Sequence, residues 1–224
     1  MTHLDNELQL LKNDTINMWK LVQTQLEKGK SALLNFDKDL AREVISNEKR
    51  VNAYELKIDR DCENIFALFT PVAIDLRFVL AVLKINSNLE RIGDIAEGIA
   101  RFVVDIDSAI DVELLEKIRV VEMFETANAI LADVEIAFEK EDTRLARTIF
   151  KKDEILDNIN NNVSYGVADY IKTHPNQIRE SLHVLSMIRK LERVGDQAKN
   201  IAEEIIFYIE AKVLKHLSKG QKEA

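Results

Sequence analysis

Two prolines, six glycines and one cysteine are all that 224 residues contain of the types that most often break, bend or staple a chain. So few turn formers leave room only for long elements joined by short connections, and the abundance of helix formers makes those elements helices. With Cys62 alone there is no disulfide framework and no cysteine-based zinc site. Its place in an apolar helical stripe marks it as a buried thiol in a reducing compartment. Aromatic residues make up only 6% of the chain. No apolar run approaches the roughly 18 residues of a membrane span. Positive charge is in deficit: 31 basic against 39 acidic residues give a formal charge of −8. That excludes nonspecific nucleic-acid binding, which needs a basic surface to displace counter-ions. No nucleophile–base constellation, phosphate-cradling glycine loop or nucleotide motif is present, so no enzymatic activity is expected. The opening Met1-Thr2-His3-Leu4-Asp5 lacks a signal-peptide pattern, and the expected location is the cytoplasm.

What the chain does have is a repeat. Leu89-Glu90-Arg91-Ile92-Gly93-Asp94 recurs as Leu191-Glu192-Arg193-Val194-Gly195-Asp196. The apolar row Ile85, Leu89, Ile92, Ala96, Ile99, Val103 is matched by Met187, Leu191, Val194, Ala198, Ile201, Ile205. Both rows step four-three-four-three-four, the spacing of a seam between packed helices. Upstream, Leu40, Val44, Val51, Tyr54, Ile58 and Cys62 align with Leu145, Ile149, Leu156, Ile159, Val163 and Val167. Met18-Trp19 aligns with Met123-Phe124, and Ala32-Leu33 with Ala137-Phe138.

Breakers and caps divide each copy into three helices. The first begins near Asp5 and ends at Asn35 to Asp37, where Asp37 can cap the second. Thr70-Pro71 stops the second, because the residue before proline disfavours helix. The third runs from about 73 to 104, and a polar link follows at 105–111. Helices four to six are expected at 112–139, 142–172 and 176–217. The chain thus reads as all-α: two tandem homologous three-helix bundles, 1–105 and 112–217, with a fraying polar tail at 218–224.

Acids recur on the third helix of each copy. Glu90, Asp94 and Glu97 stand at i, i+4 and i+7, off the apolar seam and facing outward or into a groove. The second copy has Glu192 and Asp196, followed by Asn200. The second helices carry a parallel row, Glu48, Asn52, Glu55 and Asp59, answered by Asp153, Asp157, Asn160 and Ser164. Antiparallel packing would set the two rows of each copy side by side as a carboxylate-lined strip.

Acids on a helix are usually only a solvated face, yet like charges at i and i+4 cost about 0.2–0.5 kcal/mol per pair. Gly93 and Gly195 stand mid-helix between the acids, where glycine costs about 1 kcal/mol relative to alanine. A missing side chain there lets a helix, a ligand or a metal-bound water come close. Carboxylates and amides without cysteine and with little histidine favour hard cations: Mg²⁺, Mn²⁺, Ca²⁺ or iron. A structural account competes, in which Arg91 and Arg193 pair with the acids and the glycines serve tight packing.

A duplicated three-helix chain with Glu-Arg-x-Gly-Asp on each third helix resembles the PhoU family of phosphate-transport regulators. Glu7-Leu8 through Met18, Val22 to Leu26 and Asn52-Ala53-Tyr54-Glu55 share the likeness, which spans nearly the whole chain. The resemblance implies negative regulation of phosphate uptake and of the phosphate-starvation response. The protein would be a non-enzymatic adaptor between the phosphate ABC transporter and a sensor histidine kinase, reaching the membrane only through those partners. It also implies metal ions, often as multinuclear clusters, held by Glu90 and Asp94 and by Glu192 and Asp196. Helical geometry extends the set to Glu97, Glu48, Glu55, Asp153 and Asp157. The second copy departs from the first at Lys199, where the first has Glu97, and at Ser164, where it has Asp59; its site should be weaker or hold fewer ions.

Other readings stay open. The chain could serve a low-affinity phosphate permease, or bind partners through its long helices without metal. A di-iron carboxylate enzyme would need two Glu-x-x-His motifs, and only Glu180-Ser181-Leu182-His183 has that spacing. Leu80, Ile95 and Phe102 lie outside the main seam and either meet other helices of the chain or support a homodimer.

Overall fold

A computed structural model describes residues 2–214. Helix starts follow local chemistry. Thr2 accepts from the Asp5 amide while Asp5 bonds back to the Thr2 amide, a capping box that opens α1 (His3–Asn35). Asp37 accepts from the Asp39 and Leu40 amides and opens α2 (Lys38–Phe69). Thr70, left-handed before Pro71, closes α2, and α3 (Ala73–Asp105) follows. The second copy repeats the pattern with a short α4 (Val112–Lys117), then α5 (Val120–Lys140), α6 (Thr143–Thr173) and α7 (Ile178–Glu210). Asp142 caps α6 as Asp37 caps α2, and Glu141 before it is left-handed as Phe36 is. Among the described residues there is no strand.

The twelve seam residues named from the repeat are all buried, each at 2% exposure or less. Within the first copy α1, α2 and α3 pack on one another, and within the second α5, α6 and α7 do. The copies join through α3 against α7 and α1 against α5. Trp19, Phe78, Phe138 and Tyr208 form an aromatic cluster across that junction, with centroids 5.5–6.3 Å apart along its contacts. The Trp19 indole donates to the Leu131 carbonyl at 3.2 Å, and Arg77 Nε to the Tyr208 carbonyl at 3.1 Å. Ile95 is buried and Phe102 stacks on His183 at 5.1 Å, so both meet other parts of this chain. Leu80 keeps 37% exposure.

The structure departs from the expected helices twice. Residues 112–139 are not one helix: Arg119 turns left-handed, φ 58°, and separates α4 from α5. No glycine or proline announces this break. It folds Leu114, Leu115 and Ile118 into the core, and Gly166 of α6 leaves room, since a Cβ there would stand 3.3 Å from Ile118 Cγ2. The last helix ends at Glu210, not 217, because Ala211 is left-handed at φ 58° and the segment after it buries Leu214. A 3₁₀ turn, Pro175–Gln177, precedes it. The rest of that expected helix and the 218–224 tail lie outside the described residues. No described helix is long and apolar enough to cross a membrane. Cys62 is fully buried, and burial pushes its thiol up to about 12.

Candidate functional site

The acidic rows of α2 and α3 face each other across the helix pair. Their meeting point is Gly93, where a Cβ would stand 3.0 Å from Val51 Cγ1 and 3.4 Å from Glu48 Oε2. The absent side chain lets α2 lie close and lets the Glu48 carboxylate sink between the helices. Glu48 is only 7% exposed, and its Oε1 has no hydrogen-bond partner. Burial, with Asp94, Glu97, Glu90 and Glu55 nearby, pushes its carboxyl up to about 7. Glu55 is raised by burial, then by Asp59 and Asp94. Glu90 is raised by burial, then by Asp94 and Glu55, with Arg91 opposing. Asp94 is exposed, Glu97 bonds Arg101 at 2.6 Å, and Asp59 accepts from Asn86 at 2.9 Å. The first strip is therefore a set of mutually repelling carboxylates around one buried member.

The second strip keeps the backbone and changes the charges. Asp153 of α6 is fully buried against Gly195 of α7, where a Cβ would overlap Asp153 Oδ1 and stand 2.7 Å from Leu156 Cδ1. Lys199 pairs with Asp153 across the helices and with Asp196 at 2.8 Å. Burial alone would lower the Lys199 pKa, but its ion pairs with Asp153 and Asp196 outweigh burial and hold the ammonium charged. Glu192 is raised by burial and by Asp196, Asp157 and Asp153, with Lys199 opposing. Asp157 is half-buried on the same face of α6.

Outward placement holds for Glu90, Asp94, Glu97, Glu192 and Asp196, each partly or fully exposed. Glu48 and Asp153 instead lie inside the helix interface, because the glycines opposite them leave a hole of carboxylate size. Arg91 and Arg193 make no salt bridge among the described residues. The sequence marked Lys199 only as a departure; its pairing follows from its place three residues after Asp196 and opposite Asp153. Among the described residues no three His, Cys, Asp or Glu side chains converge closely enough to hold one metal ion. The donors of the first strip fit a hard cation in kind and in unbalanced charge, while standing apart from one another. The donors of the second do not fit, since an ammonium already stands among them.

A cleft of about 1080 Å³ is lined by Arg119 just before α5, by Arg144, Arg147, Lys151 and Lys152 of α6, and by Lys212 after α7. Most of those cations already have acids: Arg119 pairs with Glu122, Arg147 and Lys212 with Glu210, and Lys152 with Asp133.

Comparison with known proteins places this geometry. The PhoU domain model matches the chain twice, at residues 15–103 and 120–205. The chain is 33% identical to the phosphate-specific transport system accessory protein PhoU of Edwardsiella tarda, over 94% of this chain and 86% of that one. It is 30% identical to PhoU homolog 1 of Thermotoga maritima, over 97% and 94%. The crystal structure of PhoU from Pseudomonas aeruginosa superposes with a TM-score of 0.84 at 28% identity, covering 94% of this chain and all of that one. The phosphate transport system regulatory protein PhoU from Streptococcus pneumoniae gives 0.81 at 27% identity, covering 94% and 99%.

Proposed function

The chain belongs to the PhoU family, and from that membership we propose that it is an accessory regulator of phosphate transport that acts without catalysis. Its relatives over nearly the full chain carry the words accessory and regulatory in their names. In this reading it lowers phosphate uptake and the starvation response when phosphate is ample. It does so as a helical adaptor in the cytoplasm between the phosphate ABC transporter and a sensor histidine kinase. The long, mutually packed helices suit a rigid docking body, and the first strip supplies a cation-responsive face on it.

The observation that carries the cation part is Glu48, a buried carboxylate with a free oxygen among like charges. Glu48, Glu55, Glu90, Asp94 and Glu97 would hold a hard cation such as Mn²⁺, Mg²⁺ or iron. When bound, the ion supplies the counter-charge that the strip lacks. The residues themselves set its place: Gly93 keeps the helices close, Glu48 lies deepest, and Asp94 and Glu90 come from the solvent side. A metal-free adaptor is the second reading, favoured by the separation of the carboxylates.

Two readouts on one pair of proteins test these parts separately. The parent and a Glu90→Ala/Asp94→Ala variant are purified without chelator, assayed for metal by mass spectrometry, and used to complement a deletion strain. Metal in the parent and not in the folded variant supports the first strip as a site; metal in neither leaves the bare adaptor. Phosphate-regulated expression that is unchanged by the deletion itself would sink the regulatory role.

A further inference from the structure

The two strips occupy equivalent places, yet their inventories differ in one direction. The first holds six carboxylates: Glu48, Glu55, Asp59, Glu90, Asp94 and Glu97. In the second, Glu55 has become Asn160, Asp59 has become Ser164 and Glu97 has become Lys199, with only Asp157 gained, at the place of Asn52. Four carboxylates and one ammonium remain.

The ammonium stands among them. Asp153 is fully buried, and a buried carboxylate needs a counter-charge or must give up its own. Lys199 provides one from the facing helix as an ion pair, and its second ion pair, 2.8 Å to Asp196, takes up the acid that would otherwise accompany a metal there. Its side chain is 23% exposed, so the stem is packed and the charge is held in place. Gly195 completes the arrangement, because any Cβ would occupy the place of Asp153 Oδ1. A divalent ion bridging Asp153 and Asp196 would have to displace an ammonium tethered on the same helix turn.

We infer that Lys199 is the resident cation of the second strip, a side chain standing where a metal ion would stand, so that this repeat is closed to metal. The protein is then asymmetric by design of its charges: one face can respond to cations and the other cannot. That one face can respond to cations rests on the first-strip reading above; the role of Lys199 does not.

The test uses the full chain stripped with chelator and reloaded with Mn²⁺, with bound metal per chain and Tm as readouts. In a Glu90→Ala/Asp94→Ala background, bound Mn²⁺ should be lost; adding Lys199→Glu should bring back about one ion per chain and a Mn²⁺-dependent rise in Tm. Without metal, Lys199→Met should lower Tm by roughly 5–10 °C, since it strands a buried carboxylate. Added Mn²⁺ should restore part of that loss and leave the parent's second strip untouched. Metal retained by the Glu90→Ala/Asp94→Ala protein and removed by a further Glu192→Ala/Asp196→Ala would overturn the inference. So would a Lys199→Met protein that melts like the parent without metal. A parent that binds no Mn²⁺ beside a Lys199→Glu protein that does would discard the first-strip metal and keep Lys199 in its role.

Discussion

The two halves of this chain answer one physical problem in two ways. Each places a carboxylate inside the contact between its second and third long helices, Glu48 beside Gly93 and Asp153 beside Gly195. In the first half that carboxylate is surrounded by further acids and is pushed toward its neutral form, at about 7. In the second it is met by a lysine, although burial still holds the Asp153 carboxyl above its ordinary range. Duplication preserved the glycine, the depth of the acid and the flanking Glu-x-x-x-Asp block, while a side-chain counter-charge at the buried acid stands only in the second half. The lesson is that the hole, not the charge, is the shared element: each half fills it with one buried carboxylate, whatever charges stand around it.

The sharpest way to break the comparison is to fill the two holes. Gly195→Ala puts a methyl group into Asp153 and within 2.7 Å of Leu156, both fully buried. Overpacking plus displacement of a buried ion pair should cost about 3–4 kcal/mol in urea unfolding. Gly93→Ala meets Val51 at 3.0 Å and Glu48 at 3.4 Å, contacts that shifts of a few tenths of an ångström relieve. The gain of about 1 kcal/mol from alanine in a helix should leave its net effect within about 1 kcal/mol of zero. Equal losses at both glycines would mean that the strips differ less than their charges imply.

The next effect is the pH slope that Glu48 sets in the first half. With its carboxyl raised from 4.5 to about 7, Glu48 binds its proton more tightly in the folded state than in the unfolded one. Its contribution to stability is therefore fully present below about 4.5. It falls between there and about 7, and stays lost above, a total of about 3 kcal/mol. Glu48→Gln cannot ionise, so in chelator the variant should match the parent near pH 4 and exceed it increasingly up to pH 7–8. Chemical denaturation across that range reads the difference directly. A parent–variant gap that stays constant with pH would mean that Glu48 is solvated after all.

How much of this was legible in the residues varies with the cause. The repeat, the seam and the cap at Asp37 rest on local chemistry and periodicity, and they stand where those rules put them; Asp142, expected inside its helix, caps it instead. The acidic rows and the mid-helix glycines were legible as a pattern. The depth of Glu48 and Asp153 was not, because a position at the flank of an apolar stripe becomes buried only when the facing helix lacks a side chain. The breaks at Arg119 and Ala211 left no local trace either: both are non-glycine residues in the left-handed region, held there by the burial of Ile118 and Leu214 nearby. Lys199 was visible as a substitution, and only the distance across α6 and α7 turned it into a partner.

The smallest expected effect is a control in which the halves should agree. Asp37 and Asp142 each accept from two amides in the first turn of the helix that carries the buried acid, at 2.9–3.1 Å, and each follows a left-handed residue, Phe36 or Glu141. Both caps are exposed, so little but the cap itself is removed by Asp37→Ala or Asp142→Ala. Each should cost about 1 kcal/mol, and the two losses should add in the double variant, since the caps share no partner. Matching losses would show that the duplicated frame is energetically even and that the asymmetry lies in the strips. A loss at one cap more than about twice that at the other would move part of the asymmetry into the frame, and the contrast between Gly93 and Gly195 would then have to be corrected for it.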